Sequence, residues 1–201
     1  VAVGDVTGDG LADVVVGQAA GGSQVRVYAG GSFDLAVSFT AFSTAFAGGV
    51  SVAVADGIGT GPAVAGGATA TRPGVRLVDP AGSLVTSRQV YNGSGFGVTV
   101  AAADLDGNGA DEVAVAPVAA VPNVRILDPA TGRVRAMFTA RPVIDPAWGL
   151  RLGILRTDGA DTLLVGNGPG SRTVVLGFTG LGGAAAPLKP DADRAFGIFV
   201  G

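Results

Sequence analysis

Short apolar runs recur along the chain and are separated by clusters of Gly, Pro, Asp and Asn. One run begins with valine, is followed in three of its four copies by arginine, and returns at intervals of 50, 49 and 50 residues. Its copies begin at Val25, Val75, Val124 and Val174. A second run lies 11 or 12 residues ahead of each and begins at Val14, Ala63, Val113 and Leu163. Short runs bounded by such turn-forming residues are typical of β-strands.

The repeat predicts four copies of one unit, each with four short strands and a length of about 50 residues. Each later unit opens on an aromatic residue followed by small and apolar residues, at Phe46–Val54, Phe96–Val100 and Trp148–Leu152. A period of about 40–50 residues with four strands per unit is typical of a propeller blade. We therefore expect an all-β fold, a single β-propeller domain over residues 1–201. The expected repeats are approximately 1–45, 46–95, 96–146 and 147–195.

Residues 196–201 repeat the opening strand once more and are expected to begin or close a further strand. Two arrangements are open: a ring of four blades completed by this strand, or a piece of a longer array. An open arc would leave apolar blade faces in water, which favours aggregation. We therefore expect a ring of four blades that forms part of a larger multidomain chain.

Two nine-residue segments, DVTGDGLAD and DLDGNGADE, have the pattern of calcium-binding loops. Side chains with oxygen atoms occupy positions 1, 3, 5 and 9 of each, and glycines occupy positions 4 and 6. Calcium takes about 6–8 oxygen ligands, and the backbone carbonyl at position 7 offers a fifth. Glycine permits the positive φ angles with which the backbone curls around an ion. The predicted ligands of two Ca²⁺ sites are Asp5, Thr7, Asp9, Leu11 and Asp13, and Asp104, Asp106, Asn108, Ala110 and Glu112.

The matching segments of the second and fourth units are two residues shorter and lack this pattern. The segment at Asp56 carries one acid, and the fourth unit has Arg156 where the first ligand would stand. We expect tight turns here, with Asp158 and Asp161 capping or closing the turn of the fourth unit. The units are therefore predicted to alternate between a metal loop and a tight turn.

The composition excludes several kinds of site. The chain has no Cys and no His, which excludes His/Cys zinc sites and nucleophile–base pairs that need these residues. The net charge is −3, and without a basic stripe we expect no nucleic-acid partner. No apolar run approaches the ~18 residues of a membrane span. The arginines at Arg26, Arg76 and Arg125 are expected to lay their stems over a neighbouring sheet with their heads in water; an anion site is the alternative.

The combination of Phe-Gly before the first strand, a DxDGDGxxD-type loop, VVVG and a VRV strand resembles the FG-GAP (or VCBS) repeat over essentially the whole chain. This repeat also builds the propeller of integrin alpha subunits. The spacing of about 50 residues is similar to arrays in large bacterial secreted and surface proteins. The resemblance implies calcium in the loop between the first and second strands. Thr7 departs from the family, which usually has Asp or Asn at that position.

These observations favour a non-catalytic, calcium-binding β-propeller module of a secreted or cell-surface protein, active in adhesion, in recognition or as a spacer. Extracellular modules bind calcium with a Kd of roughly 10⁻⁴–10⁻³ M, which favours an extracellular or cell-surface location. A carbohydrate-binding lectin propeller is the alternative, although few aromatic residues are left for sugar platforms. A calcium-dependent polysaccharide-active enzyme is a third reading, disfavoured because nearly all clustered acids belong to the two loops. The protein or glycan ligand is not identified by the sequence.

Overall fold

A computed structural model describes residues 1–58, 61–68, 73–93, 95–119, 122–140, 149–168 and 174–188 of the chain. Within these ranges the chain forms sixteen β-strands and no helix, which confirms the all-β prediction. The strands form four antiparallel sheets of four strands each. Every sheet is a meander in which neighbouring strands follow one another in the sequence.

The bounds of the strands fall within the four predicted repeats. The first sheet contains β1 Ala2–Gly4, β2 Asp13–Gly17, β3 Gln24–Tyr28 and β4 Leu35–Thr40. The second contains β5 Val50–Ile58, β6 Gly61–Ala68, β7 Gly74–Val78 and β8 Leu84–Gln89. The third contains β9 Val98–Ala103, β10 Glu112–Pro117, β11 Asn123–Leu127 and β12 Val134–Thr139. The fourth contains β13 Leu150–Leu155, β14 Thr162–Asn167, β15 Val175–Thr179 and β16 Gly183–Leu188.

All four sheets share one pairing register. Equivalent pairs between the first and second strands are Val3 with Val14, Val54 with Val64, Ala102 with Val113, and Ile154 with Leu163. In every sheet the register between the third and fourth strands shifts near the turn that joins them. Because register decides which face each side chain occupies, the four units present equivalent faces to their neighbours.

Within the described ranges the hydrophobic core forms three layers, one between each pair of consecutive sheets. The layer between the first and second sheets includes Val15, Val25, Val27, Val52, Val54 and Val64. The layer between the second and third includes Ala53, Leu77, Val98, Val100, Val113 and Val115. The layer between the third and fourth includes Ala103, Ile126, Leu150, Leu152, Leu163 and Phe178. The sheets therefore follow one another in chain order, each packed on the next.

Strand β5 shows how one strand contributes to two of these layers. Val52 and Val54 belong to the layer against the first sheet, whereas Ala53 and Ala55 belong to the layer against the third. Successive side chains of a strand point to opposite faces. An inner sheet that is buried on both faces therefore needs apolar residues at consecutive positions, which explains the continuous apolar runs.

Two glycines allow consecutive sheets to come close together. A Cβ atom at Gly17 would lie 2.5 Å from the carbonyl oxygen of Val50 on the next sheet. A Cβ atom at Gly67 would lie 2.9 Å from a methyl carbon of Val100. The second strands of the first and second sheets thus have a glycine where the first strand of the following sheet crosses them, whereas Ala116 holds this place in the third sheet.

The closed ring of four blades stays a prediction. No core cluster among the residues described here joins the fourth sheet to the first. Val1 and Val3 of the first sheet are 83% and 64% exposed, whereas Val175 of the fourth sheet is 5% exposed. Trp148 and residues 196–201, which entered the repeat prediction, lie outside the described residues. No helix long and apolar enough to cross a membrane occurs among the residues that were described.

Candidate metal centre

The two predicted calcium loops occupy equivalent places in the fold. Asp5–Asp13 joins β1 to β2, and Asp104–Glu112 joins β9 to β10. The glycines at loop positions 4 and 6 have positive φ angles in both: 76° and 83° at Gly8 and Gly10, 76° and 86° at Gly107 and Gly109. The structure therefore confirms the prediction that the glycines of each loop adopt positive φ angles, which glycine adopts without steric cost.

The aspartate at position 1 organises the backbone of each loop. Carboxylate oxygens of Asp5 accept hydrogen bonds from the N–H groups of Gly8 (2.7 Å) and Gly10 (2.9 Å). Asp104 accepts from the matching groups, Gly107 (2.7 Å) and Gly109 (2.8 Å). At position 5 the pattern continues, with each side chain accepting from the N–H two residues on: Asp9 from Leu11 and Asn108 from Ala110, both at 2.8 Å. Two loops of different sequence thus adopt one hydrogen-bonding pattern.

The acid at position 9 of the first loop is bound to the backbone. Asp13 is fully buried, and its carboxylate accepts from the N–H groups of Val6 (2.8 Å), Thr7 (2.7 Å) and Gly30 (2.7 Å). The Thr7 hydroxyl donates a longer bond of 3.4 Å to the same carboxylate. Burial acts to raise the pKa of Asp13, but these hydrogen bonds, led by that from Gly30, outweigh it and hold the pKa below its usual value. Asp13 therefore fastens its loop to the turn after β3.

The acid at position 9 of the second loop is longer and has a different partner. Glu112 is 2% exposed and accepts a hydrogen bond from the N–H of Leu105 at 3.1 Å. Its other oxygen forms an ion pair with the guanidinium of Arg135 on β12. Burial, followed by the nearby Asp106 carboxylate, raises the pKa of Glu112 despite the opposing effects of Leu105 and Arg135. The second loop thus concentrates negative charge at a site where a cation is favoured.

The second loop brings three carboxylates together. Oxygen atoms of Asp104, Asp106 and Glu112 all lie within 4.8 Å of one another. Arg135 donates to Asp106 at 2.8 Å in addition to its contact with Glu112. Among the described residues, this is the one group of three acidic side chains that meets this distance criterion. The acids of the first loop are not brought together in this way, and Ala36 takes the place of Arg135 in the register of the first sheet.

The donor set of the second loop is suited to a hard cation. Carboxylate oxygens are the ligands that Ca²⁺ prefers, and its coordination tolerates irregular geometry. Within the described part of the chain, every buried side-chain nitrogen or oxygen has a hydrogen-bond partner, so no unpaired buried atom points to a bound ion. The suitability of the loop for a cation therefore rests on the carboxylates of Asp104, Asp106 and Glu112. Arg135 already contacts two of these carboxylates.

The short turn of the fourth unit contains its own positive charge. Arg156 donates to Asp161 at 2.6 Å and reaches Asp111 of the third sheet at 3.4 Å. Asp161 also accepts from the N–H of Thr157 at 3.2 Å, which confirms that it closes the turn, whereas Asp158 is exposed. An arginine thus provides here the cation that the longer loops are proposed to take from solution.

Sequence reasoning missed the role of Asp111. This residue stands at position 8 of the second loop, outside the alternating ligand pattern, and is 4% exposed. Its carboxylate accepts from the N–H of Asp56 at 3.0 Å, and its own N–H donates to the Asp56 carbonyl at 3.0 Å. Burial raises the pKa of Asp111, opposed by the Asp56 hydrogen bond and by Arg156. The only sign of this role in the sequence is that Asp111 is an acidic residue next to the predicted ligand Glu112.

Two of the periodic arginines connect neighbouring sheets through their head groups, which differs from the expectation that the heads reach water. Arg76 donates to the carbonyl oxygen of Ala41 at 2.9 Å, and its guanidinium lies 5.4 Å from the centre of the Phe42 ring. Arg125 donates to the carbonyl oxygen of Val90 and lies 4.5 Å from the centre of the Tyr91 ring. Each arginine therefore binds the chain segment that leaves the preceding sheet, through a hydrogen bond and a cation–π contact.

A groove of about 470 Å³ opens between the second and third sheets, at the strand ends opposite the second loop. Its lining includes Tyr91, Phe96, Arg125 and Met137. The Tyr91 side chain is 7% exposed and lies under the Arg125 guanidinium. The aromatic surface that a sugar would stack on is therefore largely occupied by a neighbouring side chain.

In comparisons with known proteins, no family model matches this chain and no curated protein is a match for it.

Proposed function

We propose that this chain is a non-catalytic, calcium-binding module of the β-propeller type, in which each four-stranded sheet is one blade. The proposed setting is a secreted or cell-surface protein, where the module serves in adhesion, in recognition or as a spacer. Four equivalent meander sheets packed in chain order support the blade assignment. The resemblance of the loops to FG-GAP repeats supports the setting.

The observation that carries the proposal is the group of three carboxylates in the second loop. Asp104, Asp106 and Glu112 bring their oxygens within 4.8 Å of one another on a loop whose backbone is already held by hydrogen bonds. Carboxylates held this close repel one another, and each favours protonation of its neighbour. A bound divalent cation would reverse this repulsion and hold the loop against β9 and β10.

The first loop is the weaker of the two proposed sites. It shares the hydrogen-bonding pattern of the second loop, but Thr7 replaces an acid and Asp13 is engaged by three backbone N–H groups. Calcium there would rely on Asp5, Asp9 and main-chain oxygens, with water completing the shell. We therefore expect lower affinity at the first loop than at the second.

Calorimetric titration of the protein with CaCl₂ tests the proposal. We expect a stoichiometry near two, with two affinities that differ. Asp106→Asn should remove the tighter site and Asp9→Ala the weaker one. Asp34→Asn, which changes an exposed acid outside both loops, serves as the matched control. A protein that takes up no calcium, or whose uptake is unchanged in both loop variants, would contradict the assignment.

Thermal unfolding provides an independent test of a structural role for the ion. A ligand that binds only the folded state adds about 2.7 kcal/mol per site at one hundred times its Kd. Removal of calcium by EDTA should therefore lower the melting temperature by several degrees. A melting curve that is the same with EDTA and with millimolar calcium would rule out a stabilising ion.

A glycan ligand is the second candidate function, favoured by the groove that Phe96 lines together with the polar side chains of Asn92 and Asn123. Its size of about 470 Å³ falls in the range of small-molecule sites. Screening on a glycan array, followed by Phe96→Ala in any positive case, distinguishes this function from adhesion through protein surfaces. Binding that survives Phe96→Ala would place the glycan elsewhere.

A further inference from the structure

The sequence places a glycine directly after Asn92, after Asn108 and after Asn167. In such a pair the backbone nitrogen of the glycine can attack the side-chain amide carbon of the asparagine, because glycine has no side chain to hinder the approach. A C–N bond forms and closes a succinimide ring, the attacking nitrogen gives its proton to water, and the side-chain amide takes up a proton and leaves as ammonia. Water then opens the ring at either carbonyl and yields aspartate or isoaspartate. The only co-reactant is water.

Two features of the folded protein control the rate of this reaction. The glycine nitrogen attacks only when it loses its proton, so a hydrogen bond from that N–H to an acceptor opposes the attack. The asparagine side chain must also rotate onto the nitrogen, which close packing or a hydrogen bond to its amide prevents. The net contribution of one such hydrogen bond corresponds to about 2–13-fold in rate. The three pairs differ in both features.

The pair at Asn167 is held on both sides of the reaction. Asn167 is fully buried, and its amide oxygen accepts a hydrogen bond from the N–H of Val174 at 3.0 Å. The attacking group, the N–H of Gly168, donates to the carbonyl oxygen of Gly149 at 3.1 Å. Neither the side chain nor the nitrogen is therefore free to react.

The pair at Asn108 is exposed but is held by the hydrogen bonds of its loop. The Asn108 amide oxygen accepts from the N–H of Ala110 at 2.8 Å. The attacking group, the N–H of Gly109, donates to a carboxylate oxygen of Asp104 at 2.8 Å. This bond to a negatively charged acceptor also disfavours loss of the proton. The loop thus protects its own asparagine, whether or not an ion is bound.

The pair at Asn92 has neither form of protection. Asn92 and Gly93 are both exposed and lie in the segment that follows β8. With the described residues, neither the Asn92 side chain nor the Gly93 N–H makes a hydrogen bond. The φ angle of Gly93 is 113°, which favours glycine at this position. We propose that Asn92 is the site at which the folded protein deamidates, ahead of Asn108 and Asn167.

The modification would change the groove between the second and third sheets. Asn92 lines this groove together with Arg125 and Phe96, and no acidic residue is among the described residues that line it. Deamidation replaces the neutral amide by a carboxylate, and isoaspartate also adds a carbon to the main chain. The modified and the unmodified protein therefore present different charges to a ligand of this groove.

Incubation of the folded protein in EDTA at mildly alkaline pH, followed by tandem mass spectrometry of its peptides, tests the inference. Asn92 should convert at least about fivefold faster than Asn108 and Asn167. In urea the hydrogen bonds and the burial are lost, so the three rates should converge. Ion-exchange chromatography of the intact protein should show one growing acidic variant. Asn92→Gln should remove this variant, whereas the matched change Asn108→Gln, at the other exposed pair, should not.

Three outcomes would overturn the proposal. The first is conversion of Asn108 or Asn167 at the rate of Asn92 in the folded protein. The second is conversion of Asn92 in urea but not in the folded protein, which would show that the fold protects this pair as well. The third is an acidic variant that persists in Asn92→Gln. Circular dichroism after incubation shows that the chain is still folded, and the absence of calcium separates this test from the proposed metal sites.

Discussion

Arg135 and the proposed calcium ion would compete for the same oxygens in the second loop. The guanidinium forms ion pairs with Asp106 and Glu112, two of the three clustered carboxylates. An ion bound by the cluster must either share these oxygens with Arg135 or displace it. We therefore predict that Arg135→Gln, which removes the charge and keeps much of the stem, increases calcium affinity at this loop.

The magnitude follows from the charges and from the exposure of the arginine. The Arg135 side chain is 34% exposed, and the dielectric constant of water sets the smallest repulsion to expect. A divalent ion and a single positive charge about 5 Å apart then repel by about 1.7 kcal/mol. Screening over a Debye length of about 8 Å at physiological ionic strength reduces this to about 0.9 kcal/mol. These two values correspond to calcium affinity that is about 4–16-fold tighter in the variant.

Calorimetric titration at low and at physiological salt measures the change. Arg133→Gln is the matched control, because it removes the same charge from an exposed arginine two residues away. The gain in affinity should be larger at low salt and confined to the tighter site. Unchanged or weaker binding in Arg135→Gln would show that Arg135 orients the carboxylates for the ion rather than competing with it.

Two further predictions concern stability. Asp13→Asn should lower the free energy of unfolding at neutral pH by about 1.5–3 kcal/mol, since a buried carboxylate that accepts three backbone hydrogen bonds is replaced by a neutral amide. Because its folded-state pKa is lowered, that stability is present above the ordinary Asp pKa of about 3.9 and is lost as the pH falls through the folded value. Urea unfolding at several pH values should therefore show the gap between Asp13→Asn and the natural chain closing in acid, with Asp34→Asn as the control; a constant gap would contradict the reasoning. Gly17→Ala should destabilise by about 1–3 kcal/mol because the added carbon meets the Val50 carbonyl at 2.5 Å, whereas Gly159→Ala, with no atom within 4 Å, should be nearly neutral in the same measurement.

The sequence predicted those features of the structure that depend on residues close to one another in the chain. The spacing of apolar runs predicted the strands, and the glycines of the two loops predicted their positive φ angles. The paired acids in one register predicted loops of one shape, and Asp5 and Asp104 do hold their loops in the same way. Such features are local because a turn or a loop is defined by a few consecutive φ and ψ angles and nearby donors.

The partner of each acid was decided by the tertiary structure. Asp13 and Glu112 hold the same loop position, yet Asp13 binds the N–H of Gly30 whereas Glu112 meets Arg135. Arg135 is 23 residues from Glu112 in the sequence, and no pattern links the two. Only the pairing of β10 with β11 and of β11 with β12 brings them together.

The sequence by itself determined the repeat, the strands and the curled backbone of the two loops, because each depends on residue type at short spacing. The tertiary structure decided which faces are covered: Val54 and Val3 hold equivalent places in equivalent strands, yet one is 7% and the other 64% exposed. Burial depends on whether a neighbouring sheet is present on that side. The sequence of a strand does not specify which element packs against it.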